Sequence, residues 1–209
     1  MASSLEVVPW AVVRGFEALR SGATVPIREL APVLEDALER HGRALLWDMD
    51  GIEGNRPQLG LLKDYEGLGL WVDAGVRSAE GVIDVLVAGA DKVVVGTKSL
   101  RALEELQKAF SLTENVLLQV DYDGRVLHPR AASKEPTAAD LAAFVRAQGG
   151  DSVLLVATRS PLDLDVVRAA AAHARVYAGI VPMADLPALQ EAGAVGAIVD
   201  LWEVMERTS

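Results

Sequence analysis

The chain has 209 residues, 51% of them hydrophobic and 24% charged, which is the profile of one well-packed α/β domain and excludes a disordered chain. It contains no cysteine, so disulfides, thiolate metal sites and thiol nucleophiles are excluded. A net charge of −10, from 30 acidic and 20 basic residues, argues against a nucleic-acid partner but leaves room for a small phosphorylated ligand in a locally positive pocket.

The N-terminus, MASSLEVVPW, has no basic region followed by an apolar run, and no apolar stretch reaches the length of a membrane span. A cytoplasmic protein with no membrane partner is expected. Apolar runs then alternate with amphipathic stretches. LEVVPW (5–10) reads as the first strand, and IRELAPVLEDALERH (27–41) as a helix with Leu30, Val33, Leu34, Ala37 and Leu38 on one face. ALLWDMD (44–50) is the second strand, and PQLGLLKDYEG after it is a weak helix, with Pro57 at its start and Gly60 inside. LGLWVDA (68–74) leads to the helix SAEGVIDVLVAGA (78–90), with Ser78 as N-cap, and DKVVVGT (91–97) to SLRALEELQKAF (99–110). VLLQVD (116–121), SVLLVAT (152–158), RVYAGI (175–180) and GAIVDL (196–201) are the remaining strands, with helices at 137–148, 164–174 and 183–194.

Most of these strands are continuous apolar runs, which suits parallel strands covered on both faces. Eight strands in this alternation form either a doubly wound sheet or a closed (βα)8 TIM barrel. The barrel is favoured. The first strand ends in PWAVVRG, which is no dinucleotide fingerprint, and the chain repeats itself: a shift of 104 residues lays AG-V…AGA-DKVVVGT gaplessly on AG-I…AGA-VGAIVDL of residues 178 to 201. A single domain over 1–209, with half-barrels of about 1–111 and 112–209, is the expected organisation.

In a barrel, function sits at the C-terminal strand ends. Asp48, Asp73, Asp121 and Asp200 then converge on one mouth. The third and fourth strands end in Ala74, Gly75 and Arg77 and in Gly96 and Thr97, each before a helix start, where exposed N–H groups hold a phosphate or another anion. The same glycines also suit tight turns, Asp48 suits loop capping and Asp121 a turn. Arg159 offers a charged fork after the sixth strand, and Gly179 ends the seventh. His128, with Arg130 and Lys134, falls in a loop near the mouth. Trp10, Trp47 and Trp71 read as packing rather than a stacking platform. No ligand spacing calls for a metal, although Asp48, Asp73 and Asp200 are an oxygen-rich set, and no cofactor is expected.

Several segments together resemble one known family. WDMDGIEGNRPQ is similar to the DLDGA-x-x-G-x-x-N segment of the phosphoribosyl ribotide isomerase of histidine biosynthesis; WVDAGVRS resembles its VGGGIRS, VVVGTKSL its VILGT-x-AL, and VDYDGRV its DARDGKV. The first strand, VVPWAVVRG, resembles PAIDL-x-x-G, followed by a small hairpin. The resemblance spans nearly the whole chain and is strongest over 44 to 126. It implies a ribulose-phosphate-binding type of barrel built from two similar halves, a type shared with the cyclase subunit of imidazole-glycerol-phosphate synthase.

Carried over, the resemblance makes Asp121 the fifth-strand member of an acid/base pair and puts one phosphate site on Ala74, Gly75, Arg77, Gly96 and Thr97. The first-strand aspartate falls on Val12. The second phosphate site would use Gly179 and a strand-eight glycine, whose place Asp200 takes. The sixth-strand loop shortens to Thr158-Arg159-Ser160-Pro161, and Asp73 stands for the first glycine of a triplet. The expectation is a diverged, isomerase-like enzyme using Asp121 with Asp48 or Asp73, in isomerase- or lyase-type chemistry on a small metabolite with one phosphate. The alternative is a non-catalytic phosphometabolite-binding or partner protein, in a one-carbon cofactor pathway of the methanopterin or methanofuran type.

Overall fold

The computed structural model describes residues 4–128, 135–159 and 161–207. Arg130, Lys134 and Ser160 lie outside the described residues. The strands are β1 (Glu6–Arg14), β2 (Glu17–Arg20), β3 (Ala23–Pro26), β4 (Ala44–Asp48), β5 (Leu70–Asp73), β6 (Lys92–Gly96), β7 (Val116–Tyr122), β8 (Ser152–Ala157), β9 (Arg175–Gly179) and β10 (Gly196–Asp200). The helices are α1 (Ile27–His41), α2 (Met49–Gly54), α3 (Ala79–Val87), α4 (Leu103–Leu112), α5 (Ala138–Ala147), α6 (Leu164–Ala171), α7 (Leu186–Glu191) and α8 (Leu201–Arg207). Strands β1 and β4 to β10 run parallel, each beside the next, and β10 pairs with β1 from Glu6↔Gly196 to Trp10↔Asp200. The sheet therefore closes as an eight-stranded (βα)8 barrel.

Closure sorts the side chains by the two-residue period of a strand. Val8, Leu45, Trp71, Val94, Leu117, Leu154, Tyr177 and Ile198 fill the interior, while the alternate residues, such as Leu46, Val72, Val93, Leu118 and Leu155, pack against the helices. Both faces are buried, which is why the strands read as unbroken apolar runs. At the floor Trp71 and Tyr177 meet edge to face at 5.2 Å, and the Tyr177 hydroxyl donates to Glu6 Oε2 at 3.1 Å. Arg43 pairs with Glu6 at 2.8 Å there.

β1 extends beyond residue 10 to Arg14, because its end pairs antiparallel with β2 (Val13↔Ala18) in a hairpin that β3 continues. α1 covers the stretch expected of it and buries Leu30, Leu34, Ala37 and Leu38. The weak helix after β4 is a pair of 3-10 turns, Leu59–Leu61 and Lys63–Tyr65, consistent with Gly60 inside it. Ser78 precedes α3, but its hydroxyl does not cap the helix; Glu105 from α4 accepts the Ala79 N–H at 3.1 Å instead. Among the described residues no helix is long and apolar enough to cross a membrane.

Candidate active site at the barrel mouth

The C-terminal strand ends enclose a cavity of about 390 Å³ lined by Trp47, Met49, Ile52, Glu53, Asp73, Lys98, Ser99, Gln119, Asp121, Val156, Ala157, Thr158 and Ile180. Two of the expected acidic residues, Asp73 and Asp121, face this space together. They are 2% and 5% exposed, so both carboxyls have lost most of their water.

Their surroundings differ. Asp121 Oδ2 accepts from the Lys98 backbone N–H at 3.1 Å and the Thr97 hydroxyl at 3.4 Å, and Oδ1 accepts from the Gln119 amide at 3.0 Å. Burial raises its pKa, while the Lys98 N–H, Gln119, the Lys98 charge and Thr97 all pull it back. Asp73 Oδ1 accepts from the Gly75 N–H at 2.9 Å. Burial, with the charges of Asp121 and Asp48 adding to it, pushes Asp73 up to about 7 against that single bond. Burial thus raises both acids on one cavity, Asp73 against one donor and Asp121 against three and the Lys98 charge.

Asp48 has its two oxygens turned into its own loop. As N-cap of α2 it accepts from the backbone N–H groups of Asp50 (3.0 Å), Gly51 (3.3 Å) and Gln58 (2.5 Å). Burial raises its pKa more than these bonds lower it. Asp50 ties that loop to the first strand, accepting from the Gly15 N–H at 2.6 Å and Gln58 Nε2 at 2.7 Å. Asp200 sits at the end of β10, where it accepts from the N–H groups of Trp202 (2.9 Å) and Glu203 (3.2 Å).

The residues assigned to phosphate lie close together on the β5 and β6 ends, but many of their backbone donors already have acceptors. The N–H of Thr97 goes to the Gln119 carbonyl, that of Lys98 to Asp121, and those of Ser99 and Leu100 to the Gly96 carbonyl. Ala74 is buried, and the Arg77 guanidinium braces the α2 loop through Asn55 Oδ1 (2.8 Å) and the Ile52 carbonyl (3.2 Å). Gly75 has φ +64°, and a Cβ there would strike Ile52 Cα and come within 2.5 Å of the Gly51 carbonyl oxygen. Gly96 leaves open the space beside Asp121, 3.2 Å from a notional Cβ to Oδ2. Gly179 makes room for Val156 and Leu154 inside the barrel. Arg159 pairs with Asp123 at 3.2 Å with its side chain 81% exposed, at the rim rather than in the cavity. His128 is half-buried, just past the Leu127 N–H that donates to the Asp121 carbonyl. Val12 lines a second cavity, of about 350 Å³, with Trp10 and Trp47, whose rings meet edge to face at 5.2 Å. Among the described residues no three His, Asp or Glu side chains form a metal site.

Lys98 and Ser99, at the fourth strand end, also face the cavity, as does Gln119, which the strand-end reading does not reach. The signal for Gln119 is there: one polar residue within the apolar run VLLQV, two before Asp121 and so on the same strand face.

The geometry defines a (βα)8 barrel with two buried carboxyls, Asp73 and Asp121, on one cavity at its strand C-termini. The model of the family described as "Histidine biosynthesis protein" matches residues 12–200, and the chain belongs to that family. A relative from Myxococcus xanthus is 34% identical over 182 residues, covering 78% of this chain and 76% of its own length. One from Methanococcoides burtonii is 25% identical over 224 residues, 94% of this chain and 91% of that one. Both relatives are named 1-(5-phosphoribosyl)-5-((5-phosphoribosylamino)methylideneamino) imidazole-4-carboxamide isomerase.

Proposed function

We propose that this barrel is an isomerase-type acid/base enzyme for a small metabolite carrying one phosphate, with Asp73 as the acid and Asp121 as the base. The observation that carries the reading is two buried carboxyls on one cavity with unequal support: Asp73 is pushed up to about 7 with one N–H donor, whereas the upward push of burial on Asp121 is opposed by three hydrogen-bond donors and the Lys98 charge. A protonated acid beside an ionised carboxylate can deliver a proton at one atom of a substrate and remove one from its neighbour. The isomerase names of the relatives support the same class of chemistry.

Two features favour a substrate different from the doubly phosphoribosylated one in those names. Val12 occupies the position that the resemblance gives to the first-strand acid, and valine transfers no proton. At the end of β10 the Asp200 carboxylate occupies the amides of Trp202 and Glu203, and its charge repels a second phosphate. A single phosphate would be received beside Gly96 by the side chains of Lys98 and Ser99, which line the cavity, since the backbone amides of residues 97 to 100 are engaged.

Thermal-shift measurements with mono- and bisphosphorylated sugars and ribotides test the reading, because ligands that bind only the folded form stabilise it. Monophosphorylated compounds should stabilise the protein best, and Asp121→Asn should keep that binding while losing turnover. Strongest stabilisation by a bisphosphorylated ribotide would refute the one-phosphate proposal. Binding without any turnover in the unsubstituted protein would make it a binding protein.

A further inference from the structure

Three non-glycine residues among the described ones have a left-handed backbone: Ser21 (φ 48°), Asn55 (φ 52°) and Ile180 (φ 53°). Ser21 sits in the hairpin turn between β2 and β3, and Asn55 caps the C-terminus of α2; both are polar residues at tight turns, where such backbone is most often met. Ile180 is different. Isoleucine branches at Cβ and crowds the backbone at this φ, so the conformation is strained and persists only where its surroundings hold it. It directly follows β9, and the next residue, Val181, is tied down by its N–H, which donates to the Ile198 carbonyl at 3.1 Å. The half-buried side chain packs against the interior cluster of the barrel and also lines the cavity of Asp73 and Asp121. Glycine would take this backbone without strain, so the turn alone does not account for isoleucine, whereas the wall it gives the cavity does.

The cavity is divided by chemistry. Asp73 on β5, Lys98 and Ser99 after β6, and Gln119 and Asp121 on β7 make one side polar. Val156 and Ala157 on β8 and Ile180 after β9 make the adjoining side apolar, with only the exposed Thr158 beyond them polar. We propose that Ile180 is a specificity-determining residue that presents an apolar wall to the ligand, so that the end of the ligand away from its phosphate is an uncharged hydrocarbon group. This deepens the one-phosphate reading and rests on it for the ligand's other end. Amides that follow β9 and β10 are engaged: Val181 with the Ile198 carbonyl, Met183 with Glu203 at 3.4 Å, and Trp202 and Glu203 with Asp200. A second anion on this side would meet the Ile180 methyl groups and the Asp200 charge, whereas a hydrocarbon group exchanges water for apolar surface.

NMR titrations of the full-length protein with methyl phosphate and with n-butyl phosphate test the wall. The two carry the same charge, so the phosphate contact cancels and the ratio of their dissociation constants reads the apolar side alone. Butyl phosphate should bind at least about tenfold more tightly. Ile180→Asn should bring the two close to equal. Asparagine accepts a left-handed backbone, so that variant keeps the turn while losing the wall. Ile180→Gly, unstrained at this φ, takes its place if the asparagine variant does not fold. The proposal is overturned if the two phosphates bind the unsubstituted protein equally, or if the variant retains the preference. A third titration, with n-butanol, separates this proposal from the reading it rests on. Butanol binding as tightly as butyl phosphate, and weakened by Ile180→Asn, sinks only the phosphate reading. Equal binding of the two phosphates sinks only the apolar wall.

Discussion

Thr97 and Asp121 hold each other twice. The Asp121 backbone N–H donates to Thr97 Oγ1 at 3.0 Å, and the Thr97 hydroxyl donates to Asp121 Oδ2 at 3.4 Å, both in fully buried surroundings. The strand β6 end thereby sets the position and the ionisation of the proposed base on β7. Thr97→Val keeps the shape and removes both bonds, leaving a buried N–H unpaired. We expect a loss of roughly 1–3 kcal/mol in urea unfolding, with the Asp121 pKa moved further up. The acid limb of any pH–rate profile should move upward with it; unchanged stability would contradict the arrangement.

Asp73 gives the protein a signature in pH. Its folded-state value is raised to about 7 from an ordinary 3.8, so the folded protein keeps a proton that the unfolded chain gives up. Its contribution to stability is therefore complete below the unfolded value and is lost as pH rises through that window, at up to about 1.4 kcal/mol per pH unit. Asp73→Asn removes the titrating group. The variant should be more stable than the parent at about pH 8, and the difference should shrink toward about pH 4. Denaturant melts across that range measure it, and a difference independent of pH would count against a buried acid.

Gly75 is required by the approach of two loops. Its φ of +64° is unfavourable for other residues, and a Cβ would meet the backbone of Gly51 and Ile52, which cannot swing aside as a side chain can. Gly75→Ala should cost about 3 kcal/mol or more, seen as a lowered unfolding midpoint. A neutral substitution would mean that the two loops do not pack this closely.

Asp48 is separable from the other two acids. It accepts three N–H groups of its own loop, so Asp48→Ala should cost roughly 2 kcal/mol in stability. Asp48→Asn, which keeps one acceptor oxygen, should recover part of that. Full stability with abolished turnover in Asp48→Ala would instead assign Asp48 to the chemistry.

The barrel is legible in the sequence because each parallel strand is buried on both faces and must read as an apolar run, and because Asp48, Asp73, Asp121 and Asp200 recur where those runs stop. What the runs do not reveal is the direction of each carboxylate. Asp48 and Asp200 turn toward backbone amides, whereas Asp73 and Asp121 face the cavity, and all four look alike as strand-ending aspartates. The anion cradle shows the same limit. Glycine before a helix start implies available N–H groups, yet the acceptors that take them at residues 97 to 100 include Asp121 and the Gln119 carbonyl, more than twenty residues away. Gln119 itself was hidden inside an apolar strand, with only its two-residue spacing from Asp121 to mark it.

A carbon-13 NMR titration of the aspartate side chains tests, without any substrate, whether Asp73 keeps its proton to higher pH than Asp121. One carboxyl should titrate near 7 and vanish from the spectrum in Asp73→Asn, while the signal lost in Asp121→Asn titrates below it. If both carboxyls instead titrate together below about pH 5, neither is held as an acid, and the paired acid/base account is wrong.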